Sequence, residues 1–162
     1  MPGFDMTITG EKEAARRIMA MGERGMNMQP IFEVLSDDWD DIVTEHFESQ
    51  GRRGGRPWKG LSDSRKAYKA RHSLDPRIMY ATHTLINSLT KRSAKGSIRK
   101  ITSDSMLRGT RIHYGEYHHY GIEQPERRLF VFTNRDRSAW AEVVQDYIIS
   151  GAVRSPARWG GF

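Results

Sequence analysis

Between Pro30 and Gly51 the chain places Ile31, Leu35, Trp39, Ile42, Val43 and Phe47 three or four residues apart, with one adjacent pair. That interval follows the α-helical period, so the six side chains form one stripe on a helix about 30 Å long. Pro30 suits the first turn, where its missing N–H leaves nothing unpaired. Gly51 suits the C-terminal cap. Asp37, Asp38, Asp40, Asp41, Glu45 and Glu48 cover the rest of the helix. A stripe of this kind has to be buried, so the remaining elements must assemble against it.

Those elements can be read in turn. Phe4 to Thr9 alternates apolar and polar residues, which predicts a short strand ended by Gly10. From Glu11 the pattern turns helical: Ala14, Ala15, Ile18 and Met19 share a face, and Gly22 and Gly25 weaken the end. Residues 51–60, GRRGGRPWKG, hold four glycines and a proline and read as a loop with no fixed shape of its own. Ser62 or Asp63 can cap a helix through Ala67, Tyr68 and Ala70. After Pro76, Ala81, Leu85, Ile86 and Leu89 predict a helix over Tyr80 to Leu89. Residues 97–103 and 106–112 read as a hairpin turning near Asp104 and Ser105. His113 to Tyr120 predicts a short helix closed by Gly121, and Leu129 to Phe132 a brief strand. Asn134 or Asp136 opens a last helix, with Trp140, Val143, Val144, Tyr147 and Ile148 on one face. The expected fold is α+β: a small, mostly antiparallel sheet packed by long helices, with an extended Gly/Arg-rich loop. One domain is expected over residues 1–150 and a C-terminal arm over 151–162. Trp39, Phe47, Leu85, Leu89, Trp140, Val144 and Ile148 are the expected core.

The 162 residues are 37% hydrophobic, enough for one modest core but too few to fix every loop and arm. No cysteine is present, which excludes disulfides and thiolate-based metal sites. No apolar run approaches the ~20 residues of a membrane span, and no signal-peptide pattern follows Met1, so a soluble, unprocessed chain is expected. Charge is segregated. Residues 1–50 carry 4 basic and 11 acidic side chains, residues 51–112 carry 16 and 3, and residues 113–162 carry 6 of each. Such blocks suggest a nucleic-acid contact or the packing of an acidic face on a basic one. Asp37, Asp41 and Glu45 on one side, and Arg52, Arg53, Arg56, Lys59, Arg65, Lys66 and Lys69 on the other, can meet between subunits or neutralise each other within one.

Catalytic readings are weak. His113, Glu116, His118 and His119 are the nearest approach to a metal site, but His113 and His118 are five apart, off the i, i+4 spacing of a helical clamp. The acidic helix lacks carboxylates from a second element, which two-metal sites use. Ser62, Asp63 and Ser64 sit in no nucleophile elbow and are better placed for capping. GRRGGRPWKG lacks the K-[ST] of a phosphate-binding loop. No cofactor or metal is expected. Arg52, Arg53, Arg56, Trp58 and Lys59 can grip phosphates and stack on a base, or insert into a neighbouring subunit, and the second is favoured. Trp58, Trp159 and Phe162 are expected as anchors ordered by such a neighbour.

Four stretches occur in a telling order. The first is Phe47 to Gly51 followed by the Gly/Arg loop and Trp58, Leu61 and Ser62. The second is the helix with Arg65, Lys66 and Lys69. The third is A-T-x-x-L-I-N-S-L-T, Ala81 to Thr90, with Leu85 and Ser88. The fourth is Gly109 and Thr110 with Tyr114, Tyr117, His118 and Gly121, then Arg128 and Phe130. Together they resemble the tail-completion and head–tail joining proteins of long-tailed bacteriophages, the virion morphogenesis family, over roughly residues 40–149. His83 stands where that family has glycine, and Leu129 where it has proline. The resemblance implies a non-enzymatic virion subunit, assembled in the host cytoplasm into a ring, commonly of six. That ring would sit in the neck or cap the tail tube, touching neck and tail-tube proteins around the DNA passage. A basic nucleic-acid-binding accessory protein is the alternative.

Overall fold

A computed structural model describes residues 10–157. The strand expected over Phe4 to Thr9 lies outside the described residues. Helix α1 (Glu11–Met26) leads into α2 (Gln29–Glu48), the long helix of the apolar stripe. A single 3-10 turn at Arg52–Gly54 precedes α3 (Asp63–Arg71) and α4 (Thr84–Thr90). Strands β1 (Ser97–Ile101) and β2 (Met106–Thr110) pair antiparallel, from Ser97 opposite Thr110 to Ile101 opposite Met106. Helices α5 (Tyr114–Tyr120) and α6 (Asn134–Ser150) follow. The fold is therefore α+β, with the hairpin as the sheet among the described residues.

The stripe on α2 is buried in two places. Ile31 and Leu35 pack with Val143 and Tyr147 of α6. Trp39, Val43 and Phe47 pack with Trp58, Tyr80, Leu85, Ile86, Leu89 and Leu129. Of the expected core, Trp39, Phe47, Leu85 and Leu89 are buried, whereas Trp140, Val144 and Ile148 of α6 are half-buried. The difference is geometric. Helix α6 packs on α2 and α1 along one side only, so the flanks of its apolar face meet solvent.

Local chemistry sets the ends of the elements. Ser62 caps α3 by accepting the Arg65 N–H, and Thr133 forms a capping box with Asp136 at the start of α6. Gly121 closes α5 at φ 69°, and a Cβ there would meet the Glu126 backbone at 2.9 Å. The helix expected from Tyr80 starts only at Thr84. Met79 and His83 take left-handed backbone angles, φ 63° and 57°, which break the helical run before it. His83 therefore occupies a conformation that glycine adopts without strain.

The strand expected over Leu129 to Phe132 does not form. Side chains take the backbone groups that a neighbouring strand would have used. The Arg128 carbonyl accepts from Trp58 Nε1 at 3.0 Å and from His46 Nε2 at 2.9 Å. The Leu129 N–H donates to His119 Nδ1 at 3.2 Å, and the Val131 carbonyl accepts from Arg53. Burial holds His46, His118 and His119 below the usual imidazole range; nearby arginines add to it, Arg53 at His46, Arg127 and Arg65 at His118, and Arg128 at His119.

Two outcomes follow. Replacing Leu85 by Ala should lower unfolding free energy in urea by about 2–5 kcal/mol, and a loss below ~1 kcal/mol would contradict its place in the core. Because three histidines have depressed values in the folded chain, the unfolded chain binds protons first as pH falls. Stability should therefore drop once pH goes below about 6.5, and keep dropping until the folded imidazoles protonate. Urea midpoints at about pH 7.5 and 5.5 measure this, and a His46→Gln chain should show a shallower dependence. Equal midpoints at the two pH values would rule the linkage out.

Candidate assembly surface

The Gly/Arg loop departs most from expectation. Gly51 sits at φ 86° with its Cα against Trp58: an added Cβ would lie 2.6 Å from the indole. Trp58 is thereby turned inward and is 8% exposed, edge-on to Phe47 at 5.1 Å. Arg53 is likewise directed into the subunit, bonding Asp136 Oδ1 at 2.5 Å and Glu45 Oε2 at 2.9 Å. The loop has a defined shape without a neighbour, because its aromatic and one of its arginines are satisfied by the chain itself. Trp58 and Arg53 are thus core and bracing residues rather than free anchors. Arg52, Arg56 and Lys59 remain exposed. Trp159 and Phe162 lie outside the described residues.

The acidic helix meets basic partners in the same subunit, mostly on the hairpin. Arg99 binds Glu33 at 2.6 Å and Asp37 at 3.1 Å, and Arg108 binds Asp40. Asp38 is buried and accepts from Trp140 Nε1 at 2.6 Å. From the 52–71 segment, Arg53 pairs with α2 at Glu45. Asp37 and Glu45 are thus paired within one subunit, although both are exposed, as are Asp41 and Glu48 on the same helix.

Several residues carrying the family resemblance share the core cluster of Trp39 and Phe47. Leu85 and Ser88 are buried on α4, and Ser88 Oγ joins Thr110 Oγ1 at 2.7 Å. Phe130 packs on Trp39 at 4.6 Å. Arg128 extends outward to Glu126 at 2.6 Å, so its carbonyl, not its guanidinium, ties the core. Tyr114 and Tyr117 are partly exposed on α5, alongside Tyr120 and Ile122. Glu116 is exposed on the same helix and His113 at its N-cap, His119 is engaged with Leu129, and among the described residues no three metal-ligating side chains converge.

Between α3, the 77–82 bend, α4 and α5 runs a groove of about 360 Å³. Arg65 stands at its rim beside Tyr68, and Lys66 turns away to Asp63 at 3.0 Å. Lys69 is buried, its ammonium donating to the Asp75 and Arg77 carbonyls at 2.8 and 2.6 Å. Burial pulls that ammonium below its usual range. Arg127, which sequence reasoning passed over, is buried in the wall and donates to the Lys59 and Gly60 carbonyls. Its neighbour Arg128 belongs to the recurrent motif, but only the fold shows which of the two turns inward.

No curated protein and no solved structure matches the chain. A family model does, over residues 9–149, which takes in every helix and strand described above except the last residue of α6. The chain therefore belongs to the phage virion morphogenesis family, and its role lies in virion assembly.

Proposed function

We propose that the chain is a structural subunit of a ring, commonly of six copies, at the junction of head and tail in a long-tailed phage. It would act there in tail completion or as the terminator of the tail tube, between neck and tube proteins. Family membership supports the virion role, and exposed apolar surface supports association with other subunits. Helix α1 buries none of its residues, leaving Ile18, Met19 and Met26 67–75% exposed, while α5 presents Tyr117 and Tyr120 to solvent and Ile122 follows it, also exposed. A lone subunit leaves this apolar surface wet, and an oligomer covers it. The residues that invite a catalytic reading are engaged in structural bonds: Ser62 caps α3, and Asp37 pairs with Arg99.

A second reading draws on Arg52, Arg56, Lys59 and Arg65, exposed cations on one segment. They suit DNA sliding through the lumen without sequence-specific contact, or a nucleic-acid accessory role outside the particle. Particles produced without the protein should accumulate as separate heads and tails, and a density label on the chain should appear at the junction. Purified chain should assemble as its concentration rises. Joined, infectious particles lacking the protein would overturn the proposal. DNA affinity that falls steeply with salt, in a chain that stays monomeric, would favour the accessory role.

A further inference from the structure

Helix α1 is an unusual element for a small domain. Every residue from Gly10 to Met19 is exposed. The helix rests on α6 through its second half, where Arg24 donates to the Ile148 and Ile149 carbonyls, both at 2.8 Å. At about 100° per residue, Glu11, Ala14, Ala15, Ile18, Met19, Gly22 and Met26 share one face. Lys12, Glu13, Arg16, Arg17 and Glu23 fall elsewhere, and Glu13 pairs with Arg17 at 3.0 Å. The outward apolar stripe therefore carries one charge, the carboxylate of Glu11. No ion pair holds it among the described residues.

The groove between α3 and α5 has the complementary character. Leu61, Ile78, Met79 and Leu85 give it apolar walls. Its cations are Arg65, Lys69 and Arg127, the last two only 3% and 6% exposed. Among the described residues none of the three has a carboxylate within ion-pairing distance. Lys69 and Arg127 meet only carbonyls, and nearby Asp75 is already bound to Arg77 at 2.6 Å. Burying cations without a counter-ion is unfavourable, and a carboxylate brought to such a site recovers part of that energy. His118 Nδ1 is also buried in this region without a partner, leaving one more polar atom for an incoming group. The volume lies in the ~300–1,000 Å³ range of binding pockets.

We infer that the Glu11–Met19 face of α1 docks on this groove in a second copy of the chain, with Ile18 and Met19 against its apolar walls and Glu11 facing its cations. The inference rests on the ring reading above and supplies its interface. Arm and groove are different surfaces, so each subunit gives its arm to one neighbour and its groove to the other. That is the heterologous contact from which closed rings are built. Arg24 fixes α1 on α6, whereas α3, α4 and α5 form the groove, which separates the two halves of the contact within one subunit.

The absence of cysteine makes the test clean. A chain carrying Ile18→Cys and Thr82→Cys, the latter exposed at the groove, is assembled and oxidised. The expected product is a covalent ladder up to the ring size, absent from either single variant. Separately, Glu11→Lys should raise the concentration needed for assembly by about tenfold or more, and adding Arg65→Glu should restore part of the loss. Both changed residues are exposed, and circular dichroism confirms that the fold survives. Rings that form normally, give no ladder and tolerate Glu11→Lys would sink the docking while leaving the ring intact. A fast-migrating oxidised monomer would show that α1 covers its own groove, and would overturn the exchange between copies. A chain that never assembles, alone or in particles, would refute the ring and the docking together.

Discussion

Helix α2 is the one element on which both hydrophobic clusters are built. Its first half holds α6 through Ile31 and Leu35, and its second half holds α4, Trp58 and Leu129 through Trp39, Val43 and Phe47. Among the described residues the sheet has two strands, too small a surface on which to lay the helices. An isolated hairpin is at best marginally stable, so β1 and β2 depend on α2 and α4 beneath them. Buried polar groups fix how the parts meet. Asp38 receives the Trp140 indole N–H, and His46 reaches the Arg128 carbonyl. Apolar packing alone tolerates sliding, whereas a misplaced Asp38 or His46 would leave a buried polar group unpaired.

The segment from Arg127 to Thr133 shows how a chain with little sheet satisfies its backbone. Four side chains from three parts of the sequence, His46, Arg53, Trp58 and His119, take the hydrogen bonds that a strand would have supplied. The same bonds give shape to the Gly/Arg loop, because Arg53 and Trp58 belong to it. Arg53 then reaches Asp136, where burial opposes ionisation but the bonds from Arg53 and Thr133 outweigh it and hold the carboxyl below its usual range. Loop, extended segment and start of α6 are therefore one cooperative unit, although about 80 residues separate Arg53 from Asp136.

What the sequence made legible was periodic or local. The stripe of α2, the hairpin about Asp104, the Ser62 cap and the Gly121 stop each follow from residues within a few positions of one another. Trp58, Lys69 and Arg127 were not legible, because their partners are backbone carbonyls 6 to 70 residues away and a carbonyl has no sequence signature. The inward turn of Trp58 also reverses the usual inference from a glycine-rich loop. There the glycines give close approach to an indole rather than freedom. His83 illustrates the converse, a left-handed position visible in the sequence only as a departure from a family pattern.

Charge segregation takes on a different meaning once the pairs are placed. Three carboxylates of α2, Glu33, Asp37 and Asp40, are bound by Arg92, Arg99 and Arg108, which lie in the basic block but beyond the loop and α3. The surplus positive charge is thereby concentrated on the 52–71 segment and the groove below it. A surface with excess charge and little internal neutralisation is suited to an outside partner, and two of its cations are buried deeply enough that water screens them poorly. Interaction at the rim, through Arg52, Arg56 and Lys59, would be weakened by salt. Interaction in the groove, at Lys69 and Arg127, would resist it. The rim and the groove thus present two kinds of cation, one open to screening by salt and one shielded from it by burial.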